Sequence, residues 1–156
     1  MILLSAWILY VKYGHTTANL MSLTREQKIV DGKDTGAVVL TKEVRGYKVL
    51  SCGDRDMKVL RNIICPVKVP IGATLVRPSS DFLWISHKVR TDMYELDCQD
   101  LMKTFETCHG PIRDRYQYPA DLIRHTEPGL DIDVTKGCVR GLHLFLERKH
   151  AEQFAF

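Results

Sequence analysis

Apolar residues in this chain come in short runs of β-branched and aromatic side chains, with Gly or Pro at nearly every interruption. Gly36 precedes Ala37–Leu40, and Tyr47–Leu50 leads to a turn expected at Cys52, Gly53 and Asp54. Val59–Val69 contains Pro66 and stops at Pro70, and Thr74–Arg77 stops at Pro78. Val89–Leu96 and Leu142–Leu146 complete the set. Branched side chains lose rotamer freedom in a helix and pack well on a pleated surface. The pattern therefore predicts an α+β fold, a mostly antiparallel sheet with short helices. Proline cannot donate to a ladder, so Pro66 points to a bulge or an edge position. Leu142–Leu146 is almost continuously apolar, as a central strand would be. A short amphipathic helix follows to Phe156, with Ala151, Phe154 and Ala155 on one side.

Helix signals are few. Thr24 and Gln27 have the spacing of a capping box, which predicts a helix from Arg25 to Val30, stopped by Asp31 and Gly32. Leu101–Phe105 reads as a helical turn. Cys108–Lys136 is rich in Gly, Pro and Asp, with short ordered pieces expected near Tyr116 and Ile123. A connection of that length is usually functional or covers a surface. Met1–Val11 is apolar but lacks the basic start and cleavage site of a secretory signal, and about ten residues are too few to span a bilayer. Trp7–Val11 is therefore expected as a buried strand ended by Gly14. Nothing divides the chain, and 156 residues suit a single domain spanning 1–156.

The formal charge of +3 is small and its signs are interspersed, as at Asp54, Arg55, Asp56 and Lys58, which argues against a nucleic-acid partner. No stretch is a membrane candidate. Five cysteines at wide spacing are an odd, sparse set for a stapled secreted domain. They are expected as reduced thiols, mostly small core residues, in an intracellular, reducing setting. Cys98, Cys108, His109, Cys138 and His143 offer no close ligand pair, so neither a metal nor a cofactor is expected.

The end of the chain carries a resemblance. Cys138, Gly141, Leu142, His143, Phe145, Leu146, Arg148 and Ala151 stand at the spacing of a closing motif, C-x-x-G-[IL]-H-F-F-[LI]-x-R-x-x-A. The motif is similar to that of a domain of uncharacterised function in giant viruses, the nucleocytoplasmic large DNA viruses, often found after pentapeptide repeats. Pro66–Ala73 and Lys88–Leu96 resemble two further segments of that domain, in the same order. The likeness covers roughly 45–156 and leaves 1–44 as an amino-terminal extension packed on it. Val89 replaces the family's Cys, Glu147 stands where Ser or Thr would cap the last helix, and pentapeptide repeats are missing from the chain. The resemblance implies a viral origin and a shared fold, and no activity.

His143 and Cys138 are the leading site candidates, because Gly141 lets the backbone turn tightly into the strand that carries His143. Two roles are open for His143: a ligand group under the 108–136 loop, or a buried ring bonded to that loop, which buried polar groups require anyway. Arg113 and Tyr116, close to Arg115, Tyr118 and Arg124, could grip an anionic ligand. Asp131 and Asp133 could hold a cation or stand as ordinary loop carboxylates. No catalytic residue is assigned. The expected function is a non-enzymatic interaction or structural module of a large DNA virus, self-associating or bound to another protein, in host cytoplasm or virion. The rival is a small-ligand binder or enzyme with a pocket near His143.

Overall fold

The computed structural model describes residues 23–54, 60–79, 87–110, 118–120 and 123–156. The strand expected at Trp7–Val11 lies outside them. The fold is α+β: among the described residues, nine strands form one antiparallel sheet, with three short helices. In chain order the elements begin with α1 (Arg25–Val30), β1 (Gly36–Val39), β2 (Val44–Gly53), β3 (Leu60–Val69) and β4 (Thr74–Arg77). Then come β5 (Lys88–Thr91), β6 (Met93–Leu96), α2 (Gln99–Met102), β7 (Thr107–His109), β8 (Arg124–Thr126), β9 (Leu142–Phe145) and α3 (Arg148–Ala155). Across the sheet the order is β1-β4-β5-β9-β2-β3-β6-β8, and β7 joins β2 beyond its contact with β9.

The long β2–β3 ribbon is the backbone of the sheet, paired over ten residues from Val44↔Val69 to Gly53↔Leu60. It runs straight through Cys52 and Gly53, where a turn was expected, because β7 pairs there and extends the ladder. Pro66 also sits inside a strand and not at an edge. Its carbonyl accepts from Asp97 N at 2.8 Å, so its nitrogen faces the end of β6, and the missing donor costs no bond to β2. Val89–Leu96 proves to be two strands, not one. The chain breaks at Asp92, whose carboxylate accepts from Thr74 N at 2.9 Å while its carbonyl accepts from Glu127 N at 2.8 Å. β9 lies between β5 and β2, at the centre, as its apolar run requires.

Both faces are covered. On one, Ile29 of α1 and Met102 of α2 join Leu50, Val67, Leu75, Val89, Leu96 and Leu144 in the main core. On the other, α3 lays Ala151, Phe154 and Ala155 over Tyr47, Val49, Ile64 and Phe145. Lys88 Nζ lies 5.1 Å from the centre of the Phe154 ring and helps hold it. At the β1 edge, Arg25 donates to the Ala37 carbonyl at 3.0 Å and Glu26 accepts from Thr41 N at 2.8 Å, so α1 guards that edge. The capping box forms only in part. Thr24 Oγ1 accepts from Gln27 N at 3.1 Å, but the Gln27 side chain turns forward to Asp31 at 2.8 Å.

The cysteines are the main correction. Cys52–Cys108 ties β2 to β7, and Cys65–Cys98 ties β3 to the start of α2; both are disulfides, not reduced thiols. Wide spacing in sequence hid this, because the sheet brings Cys52 opposite Cys108 in register. Paired cysteines speak for an oxidising setting, against the reducing one expected. The bridges span 56 and 33 residues. By loop-closure entropy each stabilises the fold by about 4 kcal/mol.

Thiol counting under denaturing, non-reducing conditions should find one reactive cysteine per chain, Cys138, and five after reduction. Replacing Cys52 and Cys108 by Ser should lower the unfolding free energy by about 4 kcal/mol in a urea titration. Five titratable thiols without reductant would refute the pairing.

Candidate functional site

The carboxyl-terminal loop is built around Arg90. This arginine lies on β5 opposite His143 and is fully buried. Its guanidinium donates three hydrogen bonds of 2.7 Å: Nε to the Asp131 carbonyl, Nη1 to Lys136 and Nη2 to Asp133. Burial pushes its pKa down, with the Asp131 and Asp133 charges opposing. A buried cation needs this many acceptors to offset its lost hydration. The loop in turn satisfies itself. Asp131 Oδ1 accepts from Asp133 N at 2.8 Å, and Asp133 Oδ1 accepts from Thr135 N at 2.9 Å and from its hydroxyl at 2.7 Å. The carboxylates that might have held a cation thus fold their own loop, and its carbonyls converge on a side chain.

Gly141 makes this close approach possible. Its φ is +151°, and a Cβ there would lie 2.8 Å from Leu130 Cδ1 and 3.0 Å from Arg90 Cβ. Two residues on, His143 is largely buried, and its Nε2 donates to the Val139 carbonyl at 2.7 Å. The neutral imidazole therefore carries its proton on Nε2. Desolvation, chiefly, lowers its pKa to about 4; Lys88, Lys48 and Arg90 add to the shift, and the Val139 bond opposes it. The carbonyl that anchors the ring lies three residues beyond the 108–136 stretch in which a partner was expected.

Cys138 is an exposed free thiol. Arg113 and Tyr116 lie outside the described residues. Cys98 and Cys108 are held in different disulfides and cannot act as thiolate ligands.

A cleft of about 590 Å³ opens elsewhere, between the end of α1, the end of β4 and the start of α3. The rings of His87 and His150 stack on its wall, centroids 3.6 Å apart and planes within 4°. Arg77 forms the floor, 8% exposed, donating from Nε to Ile29 O at 2.6 Å and from Nη2 to Val30 O at 3.1 Å. Glu147 lies beside it as the N-cap residue of α3, but its side chain caps nothing. Instead its carboxylate reaches Lys149 at 3.2 Å and His150 at 3.7 Å. Sequence reading missed this cluster. His87 and His150 are 63 positions apart (150 minus 87) in segments without a motif, and only the packing of β9 beside β5 brings them together.

Two measurements probe the Arg90–His143 assembly. Arg90→Ala strands three carbonyls and should cost about 3–5 kcal/mol, with fast amide exchange confined first to 131–136. For His143 the folded pKa lies below the unfolded one, so the unfolded chain takes up the extra proton. The stability involved is complete above about pH 6.5 and is lost as pH falls through about 4, roughly 3 kcal/mol in all. His143→Ala should cost about 1–3 kcal/mol at neutral pH and flatten that part of the pH–stability curve. An unchanged curve and melt would show that the ring is not held as described.

Comparison with protein-family models, curated proteins and solved structures finds no match to this chain.

Proposed function

We propose that this chain is a non-enzymatic interaction module, of the kind that its closing motif suggests for large DNA viruses, and that it works by presenting apolar side chains to another protein surface. The supporting observation is an exposed apolar pair held in place at the far end of the sheet. Asn62 donates to the Ala155 carbonyl at 2.8 Å, which seats the end of α3 on the start of β3. Leu60 lies on the same strand face as Asn62, two residues away, and is 52% exposed. Phe156 follows Ala155 and is 88% exposed. Large apolar side chains left in water favour association.

The buried arginines point the same way, because both Arg77 and Arg90 are committed to backbone. Arg90 holds the loop, and Arg77 spends Nε and Nη2 on the end of α1. Of host cytoplasm and virion, the disulfides favour the virion, where no reducing cytosol keeps thiols open. None of the described helices is long and apolar enough to cross a membrane.

Light scattering of the oxidised protein at micromolar concentration should give a mass near twice that of the chain, with Leu60→Asp shifting it to the single-chain mass. Loss of even one well-packed anchor commonly weakens an interface by a factor of about 30 or more. A wild-type mass of one chain, with no protein captured through this face in a crosslinking experiment that Leu60→Asp abolishes, would overturn the reading.

A further inference from the structure

We propose that the cleft between α1, β4 and α3 binds a small oxyanion, a carboxylate or a phosphate, on Arg77, with Lys149, His87 and His150 completing the site. The starting point is Arg77. Its guanidinium is buried, yet among the described residues it gains only two neutral carbonyls, on Nε and Nη2, and none on Nη1. Among the described residues no carboxylate stands within ion-pair distance of it; Glu147 and Asp31 act on it only across the cleft. Arg90 shows what full satisfaction looks like in the same protein: three short bonds, one from each guanidinium nitrogen. A buried guanidinium with an open edge toward a cleft is suited to a planar or tetrahedral oxyanion.

The remaining groups fit that occupant. Asp31 already accepts from Gln27 at 2.8 Å, and Glu147 is drawn to Lys149 and His150. The Lys149–Glu147 pair is largely exposed, 71% and 55%, so it exchanges partners at little cost. The stacked imidazoles add a dependence on pH. Two rings 3.6 Å apart cannot both be charged cheaply without a counter-anion. Arg77 from β4 and Lys149 from α3 oppose protonation of His150, whereas Glu147 favours it; Asp31, after α1, lines the same cleft. Burial and the neighbouring His87 hold His150 below the usual imidazole range. An oxyanion in the cleft would reverse that balance, so its binding and protonation of His150 reinforce each other.

The test uses the whole oxidised chain and follows the imidazole C–H signals by NMR at constant ionic strength. Inorganic phosphate should move the His87 and His150 signals saturably at low millimolar concentration while leaving His143 still. The midpoint should be at least about threefold lower near pH 6 than near pH 8. Acetate in place of phosphate identifies the oxyanion class: saturation by acetate alone assigns a carboxylate, and saturation by phosphate alone assigns a phosphate. Arg77→Lys, which keeps the charge but loses the fork, should weaken binding about tenfold. Because Arg77 also holds α1, Lys149→Ala and His87→Ala are the independent checks, each expected to raise the midpoint about threefold. Signals that drift without saturating, or that respond equally to chloride, would overturn the proposal. So would midpoints unchanged in both Lys149→Ala and His87→Ala. Neither result bears on the mass measurements, which concern the other end of the sheet.

Discussion

The guanidinium of Arg90 has an interior position that it could hold only with the carbonyls of Asp131, Asp133 and Lys136 around it. Desolvating a cation costs several kcal/mol, and three aligned backbone dipoles offset that cost while losing their own hydration in the process. The loop therefore cannot leave the sheet without exposing the arginine's partners, and the arginine cannot leave without stranding the loop. Gly141 and His143 are consequences of the same constraint. One removes the Cβ that would strike Arg90, and the other closes the loop by donating to Val139. The three residues act as a unit, so pairwise substitutions among them should not be additive.

Much of the sheet could be read from the residues. Thr74–Arg77 and Arg25–Val30 fall where turn and cap residues put them, because local chemistry alone decides those ends. The central placement of Leu142–Phe145 followed from its lack of alternation, a signature of burial on both faces. What escaped was set by partners distant in sequence. Cys52 and Gly53 look like a turn until β7 pairs with them, and Pro66 looks disruptive until the direction of its nitrogen is known. The disulfides and the His87–His150 stack belong to the same class. Side chains 33 to 63 positions apart carry no sign of one another unless the strand order is known.

Among the candidate residues, His143 has surroundings that decide what it does in the fold. A ring with one nitrogen donating to a carbonyl and a pKa near 4 stays neutral at physiological pH. It acts as a rivet in the fold. The groups open to solvent and to ligands lie at the opposite end of β9, where Glu147 gives up capping the helix to pair with Lys149 and His150. The departure from a capping Ser or Thr noted in the sequence thus has a counterpart in the cleft. A hydroxyl there could cap the helix but could not carry the charge that these pairs use.

A strand late in the sequence, β9, occupies the middle of the sheet, and this dictates an order of events during folding. β9 bridges β5 and β2, so before residue 145 is available the sheet exists as two unjoined pieces, β1-β4-β5 and β2-β3-β6-β8. Each piece then exposes one interior strand edge, with its amide and carbonyl groups unmatched. The two pieces can be sealed only once β9 has docked between them. Assembly from parts so remote in sequence is slow by the contact-order rule, and the open edges are the points at which nascent chains would cross-pair. The yield of folded protein then depends on how long those edges wait for β9.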